Sequence, residues 1–267
     1  DDGRIVAPTA SADDEVVDAH GCVVMPGLVI AHHHLYSSLA RGMPPGPGAP
    51  PESFREVLEK IWWRLDRALD GDLNELSAWV GSAEAARCGV TTVIDHHASP
   101  NAIEGSLGRI AAGIARGGLR GVVCYEATDR HGEAGFEAGL AENARQLAAS
   151  TKAATLTAMV GGHAPFTLSD AQLEALAALA AEHDVCVHLH VAEADDDQRD
   201  AAKRGYANVT QRLETVLAGR ALFAHGVHLS EAELDRLRDA GAWLTHQPRS
   251  NMNNHVGYLG GARRLDR

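Results

Sequence analysis

What the chain lacks narrows it first. No run of about 18 apolar residues occurs in the 267, so no membrane-spanning helix is predicted. No secretory leader pattern is present either. Basic residues are few, 24 against 36 acidic ones, giving a net charge of -12. A surface of that sign repels nucleic acid and anionic membranes, so neither is expected as a partner. The four cysteines, Cys22, Cys88, Cys124 and Cys186, are far apart and form no CxxC pair. They read as buried reduced thiols of a cytosolic protein. No GxGxxG follows the first apolar strand, which counts against a doubly wound dinucleotide fold. No internal repeat, heptad pattern or low-complexity linker appears.

What is present is an alternation. Apolar runs at 23–34, 90–97, 119–127, 154–163, 185–193, 221–226 and 242–247 alternate with amphipathic stretches. Seven such strands, apolar throughout as doubly covered parallel strands should be, predict an α/β fold of the TIM-like (β/α) barrel kind. Ser169 is placed to cap the helix that starts at Asp170. Residues 1–25 read differently. "GRIVA" and "DEVVDAHG" look like short strands of a partial β-sandwich, and 26–267 like the barrel. The chain opens at Asp1 rather than methionine and stops in "GGARRLDR", which is expected of a fragment truncated at both ends.

In such a barrel functional groups gather where strands end in the C-terminal direction. The polar residues fall there. Strand 1 ends in His32-His33-His34, strand 2 in Asp95-His96-His97, and strand 4 in His163. Strand 5 ends in His190 and Glu193, strand 6 in His225 and strand 7 in His246. Strand side chains alternate, so His32 and His34 share one face and can grip one metal ion, while His33 points the other way. A third ligand must come from another strand. His190 is preferred, because Glu193 three residues on brings a carboxylate for acid–base work beside the metal. His188, one layer deeper on the same face, is the alternative ligand, with a structural role preferred. Trp62 and Trp63 read as packing residues or a lid. Arg41 and Arg64 could bind a substrate anion or be salt-bridged. His97 and Asn251 are candidate substrate contacts, and "RSNMNNH" reads as a loop.

At these residues the chain resembles the amidohydrolase superfamily. "VVMPGLVIAHHHLYSSLARG", "HLHVAE", "FAHGVHLS" and "THQPRSNMNN" match its aminohydrolase branch, which includes deaminases and chlorohydrolases. "WWRLDRALD", "VIDHHASP", "EATDR" and "GGHAPFTL" look most like SsnA-type aminohydrolases. The resemblance implies a metal-dependent hydrolase barrel and a β-sandwich built from both chain ends. It implies one divalent metal, zinc or else ferrous iron, held by His32, His34 and His190. It implies Glu193 as proton shuttle, His225 at the metal-bound water and His163 at the substrate, a small heterocycle that loses ammonia. Homo-oligomers are common in the family. The family also carries a metal-associated aspartate at the end of strand 8. Asp266 in "RRLDR" precedes where that strand would come and does not match it. The chain by itself is therefore expected to lack strand 8 and to have little activity. Cleavage of a cyclic amide or a C–Cl bond, or metal binding without turnover, are the competing readings.

Overall fold

The computed structural model describes residues 15–44, 46–151, 154–217 and 220–259. Its apolar, β-branched runs become eight strands. They are β1 (Leu28–His33), β2 (Val90–His97), β3 (Arg120–Tyr125), β4 (Leu156–Ala158), β5 (Val160–Gly161), β6 (Val187–Val191), β7 (Ala221–His225) and β8 (Trp243–Thr245). Every pairing is parallel, in the order β1-β2-β3-β4 and β5-β6-β7-β8.

The two sheets are one wall. The expected strand at 154–163 is split at Met159, whose amide donates to the Val123 carbonyl, while the next amide, of Val160, turns to the Cys186 carbonyl. β4 and β5 are thus the two halves of the fourth barrel position, and seven positions are filled. The break has a steric side. A Cβ at Gly161 would stand 2.4 Å from the Tyr125 carbonyl oxygen, so glycine alone allows that approach. β1 and β8 do not pair with each other among the described residues, and Leu28, Val29 and Trp243 on these edges are exposed.

The outer layer is helical. It includes α3 (Gly71–Arg87), α4 (Ser106–Arg116), α5 (Glu133–Ala149), α6 (Asp170–His183), α8 (Val209–Leu217) and α9 (Glu231–Asp239). Ser169 caps α6 with Gln172 answering in a capping box, and Ser230 with Glu233 does the same for α9. Leu107, Ile110, Ile114, Leu173, Leu176 and Leu189 fill the space between helices and sheet.

Before α3 the chain forms α1 (Phe54–Val57), a π-helical turn (Leu58–Trp62) and α2 (Trp63–Asp66). Two short helices are not expected from the sequence. α7 (Asp196–Lys203) lacks an apolar stripe and is tied down by Asp197, which accepts the Phe166 and Ala192 amides. "RSNMNN" is not a loop but lies in α10 (Pro248–Asn253), with proline at its first turn. At the N-terminus "GRIVA" lies outside the described residues. Residues 15–25 form no strand, and Val16, Val17, Val23 and Val24 are exposed, so the strand expected in "DEVVDAHG" is not formed over its described part. Asp266 lies outside the described residues.

Candidate metal centre and its acceptor wall

The strand ends of β1, β6 and β7 open into a cavity of about 490 Å³. His32, His34, Glu126, His163, His190, Glu193 and His225 line it. The backbone is set for this. Asp95 on β2 accepts the Leu35 amide at 2.6 Å and so fixes the turn that follows the three histidines. Ala192 and His225 hold left-handed φ values of 50° and 80°, unusual for residues with a Cβ, at the ends of the strands that deliver Glu193 and His225.

The imidazoles are wired from behind. His34 Nδ1 donates to the His96 carbonyl at 2.7 Å, and His190 Nδ1 to the His163 carbonyl at 2.8 Å. A carbonyl only accepts, so both Nδ1 atoms carry the proton and both Nε2 atoms present lone pairs. Those two Nε2 atoms face each other at 3.0 Å. His225 Nδ1 is held the same way, on Asn251 Oδ1 at 2.8 Å. His32 Nδ1 meets His188 Nε2 at 3.0 Å, and its Nε2 is buried with no partner. Ring nitrogens of His32, His190 and His225 lie within 4.8 Å of one another. Burial first, and then the neighbouring imidazoles, hold His32 and His190 well below the usual imidazole range, and His34 at about 3. Neutral imidazoles with converging lone pairs repel one another unless a cation sits between them. The donor set suits zinc or ferrous iron.

Glu193 stands beside this cluster. Its Oε1 accepts from Asn254 Nδ2 at 3.1 Å, and its Oε2 lies 3.4 Å from His225 Nε2. His163 also lines the cavity. Its Nδ1 pairs with Thr167 Oγ1 at 2.8 Å, and burial lowers its pKa to about 3.

Two candidates fall elsewhere. His97 does not reach the cavity. Strand alternation turns His96 inward among the imidazoles and His97 outward, fully buried, against Ser99 Oγ at 2.8 Å. Asn251 is fully buried behind His225 and orients that ring, while Asn254, on the same helical turn, reaches the cavity instead. His188 sits under His32 and beside Cys124, whose thiol burial pushes up, away from a metal-binding thiolate.

Glu126, Arg130 and Asp66, which the sequence reading does not single out, adjoin the imidazoles: Glu126 Oε2 lies 3.3 Å from His96 Nδ1 and its Oε1 3.8 Å from His163 Nε2. Glu126 follows β3, and Arg130 stands four residues on, in the 3-10 turn Asp129–His131. Arg130 Nη2 donates to Glu126 Oε1 at 2.9 Å and Nη1 to Asp66 Oδ2 at 3.4 Å. Trp63 covers the guanidinium, with Cζ 4.6 Å from the ring centre. Burial alone would raise the Glu126 carboxyl, but the imidazoles of His163 and His96 and the Arg130 guanidinium hold it well below the carboxylate range. Asp66 goes the other way: burial lifts it to about 6 despite Arg130. The signal was available in "EATDR", where an acid and an arginine four apart leave a strand end.

This fold and this wiring define a (β/α) barrel with a candidate metal centre at its strand ends. The chain belongs to the amidohydrolase family, whose model matches residues 23–266. It is 32% identical to a 5-methylthioadenosine/S-adenosylhomocysteine deaminase of Desulforudis audaxviator, over 94% of this chain and 58% of that protein. It is 30% identical to an 8-oxoguanine deaminase of Pseudomonas aeruginosa, over 94% of this chain and 60% of that one. In structure it is similar to an adenosine deaminase from Xanthomonas campestris with bound zinc, at a TM-score of 0.76 and 25% identity, covering 88% of this chain and 52% of that one. The chain thus spans a little over half the length of the relatives it matches. No helix among the described residues is long and apolar enough to cross a membrane.

Proposed function

We propose that the protein carrying this chain is a metal-dependent aminohydrolase. It replaces an amino group on a nitrogen heterocycle with oxygen and releases ammonia. One observation carries the reading: histidine lone pairs converge at the cavity floor with a buried carboxylate, Glu193, alongside. His32, His34 and His190 hold the metal, zinc before ferrous iron. Bound there, zinc supplies a water acidified toward neutral pH. Glu193 would carry the two protons of the water in turn through its Oε2, the first to the ring nitrogen and the second to the amino group, which leaves as ammonia while the carbon keeps the oxygen. His225, fixed by Asn251, points Nε2 at the same space and orients the attacking group. His163 sits where a bound ring would lie against it. The curated relatives named above are deaminases of purine compounds, which supports C–N rather than C–Cl cleavage.

The four cysteines are all unpaired, in keeping with a reducing, cytoplasmic setting, but Cys124 alone is fully buried, and Cys22 and Cys88 are exposed rather than buried as the sequence predicts. Self-association into a homo-oligomer belongs to the same reading and is checked by light scattering. The test of function is ammonia release by the complete zinc-loaded polypeptide from a panel of aminated purines, pyrimidines and triazines. Ammonia from any panel member supports the proposal. Chloride or a ring-opened acid as the product assigns the site to the competing hydrolases. Tight zinc binding without any product assigns it to a binding protein.

A further inference from the structure

The carboxylates held by Arg130 have no part in the proton transfer above, and Asp66 lies outside the groups that could hold a metal among the described residues. We propose that Glu126 and Asp66, locked by Arg130, form a recognition wall that accepts hydrogen bonds from N–H groups on the substrate's edge. It selects neutral or cationic heterocycles and rejects anionic ones. The inference rests on the reading above that the cavity takes a heterocycle.

Arg130 is not a free anion receptor. Its Nη2 is on Glu126, its Nη1 on Asp66, and its Nε on Thr128 Oγ1 at 3.3 Å. Trp63 covers one face of the guanidinium. Two carboxylates and one guanidinium leave the wall one negative charge in excess. Arg64, a candidate anion binder by sequence, donates to the Pro44 carbonyl and does not line the cavity, and Arg41 lines a different groove. Among the described residues lining the cavity, the arginine present is Arg249, which is exposed. At Glu126 and Asp66 an anionic substrate would meet carboxylates whose guanidinium partner is already engaged.

The wall also has unmet capacity. Asp66 is buried, lines the cavity, and its Oδ1 has no partner. The Trp63 indole N–H is likewise buried and unpartnered on the same lining. A buried polar atom without a partner is costly, so each such atom favours a ligand that supplies the missing bond. Asp66 asks for a donor and Trp63 for an acceptor. A ring edge with N–H beside a carbonyl or ring nitrogen offers both. Glu126 adds an acceptor near the metal centre, with a carboxylate oxygen within 4.8 Å of ring nitrogens of His34 and His190. Arg130 acts through the two carboxylates as a positioning residue.

The experiment separates binding from turnover. The complete protein with Glu193→Gln is loaded with zinc and titrated calorimetrically with isocytosine, with its N3-methyl derivative and with orotate. Isocytosine should bind roughly 10- to 100-fold more tightly than the methylated ring, because methylation leaves a buried acceptor unpaired. Orotate should not compete. Asp66→Asn and Glu126→Gln should each cut that preference to about threefold or less, with zinc content unchanged in Asp66→Asn. If Glu126→Gln fails to fold, Asp66→Asn decides, since Oδ1 has no bond to lose. Equal binding of the three probes, tighter binding of orotate, no binding of isocytosine, or full preference in both variants would overturn the proposal. Discriminating binding by a wild-type protein that releases no ammonia would instead overturn the aminohydrolase reading and leave the wall standing.

Discussion

The two sides of the cavity are built on opposite plans. On the imidazole side, His34, His190 and His225 are anchored at Nδ1, and the Nε2 atoms of His34 and His190 point at each other, so these lone pairs repel until a cation joins them. On the carboxylate side, the guanidinium already stands between the acids, and the wall needs no metal to be neutralised in part. The first side is unfinished without an ion. The second is largely self-satisfied, with Asp66 Oδ1 left over. Chemistry belongs on the unfinished side and recognition on the finished one.

Glu193→Gln should break the imidazole side's function most. It removes the transferable proton but keeps the Asn254 contact, so kcat should fall by about 10²–10⁴ while zinc content, read by atomic absorption, is unchanged. Normal turnover would remove Glu193 from the mechanism. Asn251→Ala should come next. It frees the His225 ring without touching the cavity lining, and a lost orienting partner of this kind costs roughly 10- to 100-fold in activity or metal affinity. An unchanged kcat would show that another contact fixes His225.

The smallest effect lies on the wall. The Asp66 carboxyl sits at about 6 in the fold, raised by burial from 3.8. The folded state therefore holds that proton more tightly than the unfolded chain does. Its contribution to stability is complete below pH 3.8 and is lost as pH rises through about 6. Asp66→Asn cannot ionise, so its melting temperature relative to wild type should climb by a few degrees, ~2–4 °C, across that window and stay level below it. A constant difference would mean that Asp66 titrates normally.

The sequence showed the two sides unequally, for a physical reason. Strand periodicity and the spacing of His32, His34, His190 and Glu193 make one face of one strand readable, because alternation fixes which side chains share it. The seven strand positions were legible on the same grounds. Alternation also holds the reason that His97 was misplaced. His96 and His97 are adjacent, and the sequence alone does not say which of the two faces inward. Asn251 was read as a contact because its segment looked like a loop. Once it is helical, Asn251 and Asn254 stand three residues apart at the helix end, and the buried one supports while the other reaches the cavity. The carboxylate wall joins α2 to the end of β3 across about sixty residues of chain, and no local pattern ties Asp66 to Arg130. α7 escaped because its DDQRDAAK sequence has no apolar stripe and is held by Asp197 instead.

The central claim is that the imidazole side is a metal centre. The most direct test is zinc stoichiometry and affinity, by chelator competition, for the wild-type protein and for the His32→Ala/His34→Ala double variant. The account predicts about one tightly held zinc per chain in the wild type and loss of that site in the variant. A wild type that holds no zinc above background, or a double variant that keeps it in full, would contradict the account.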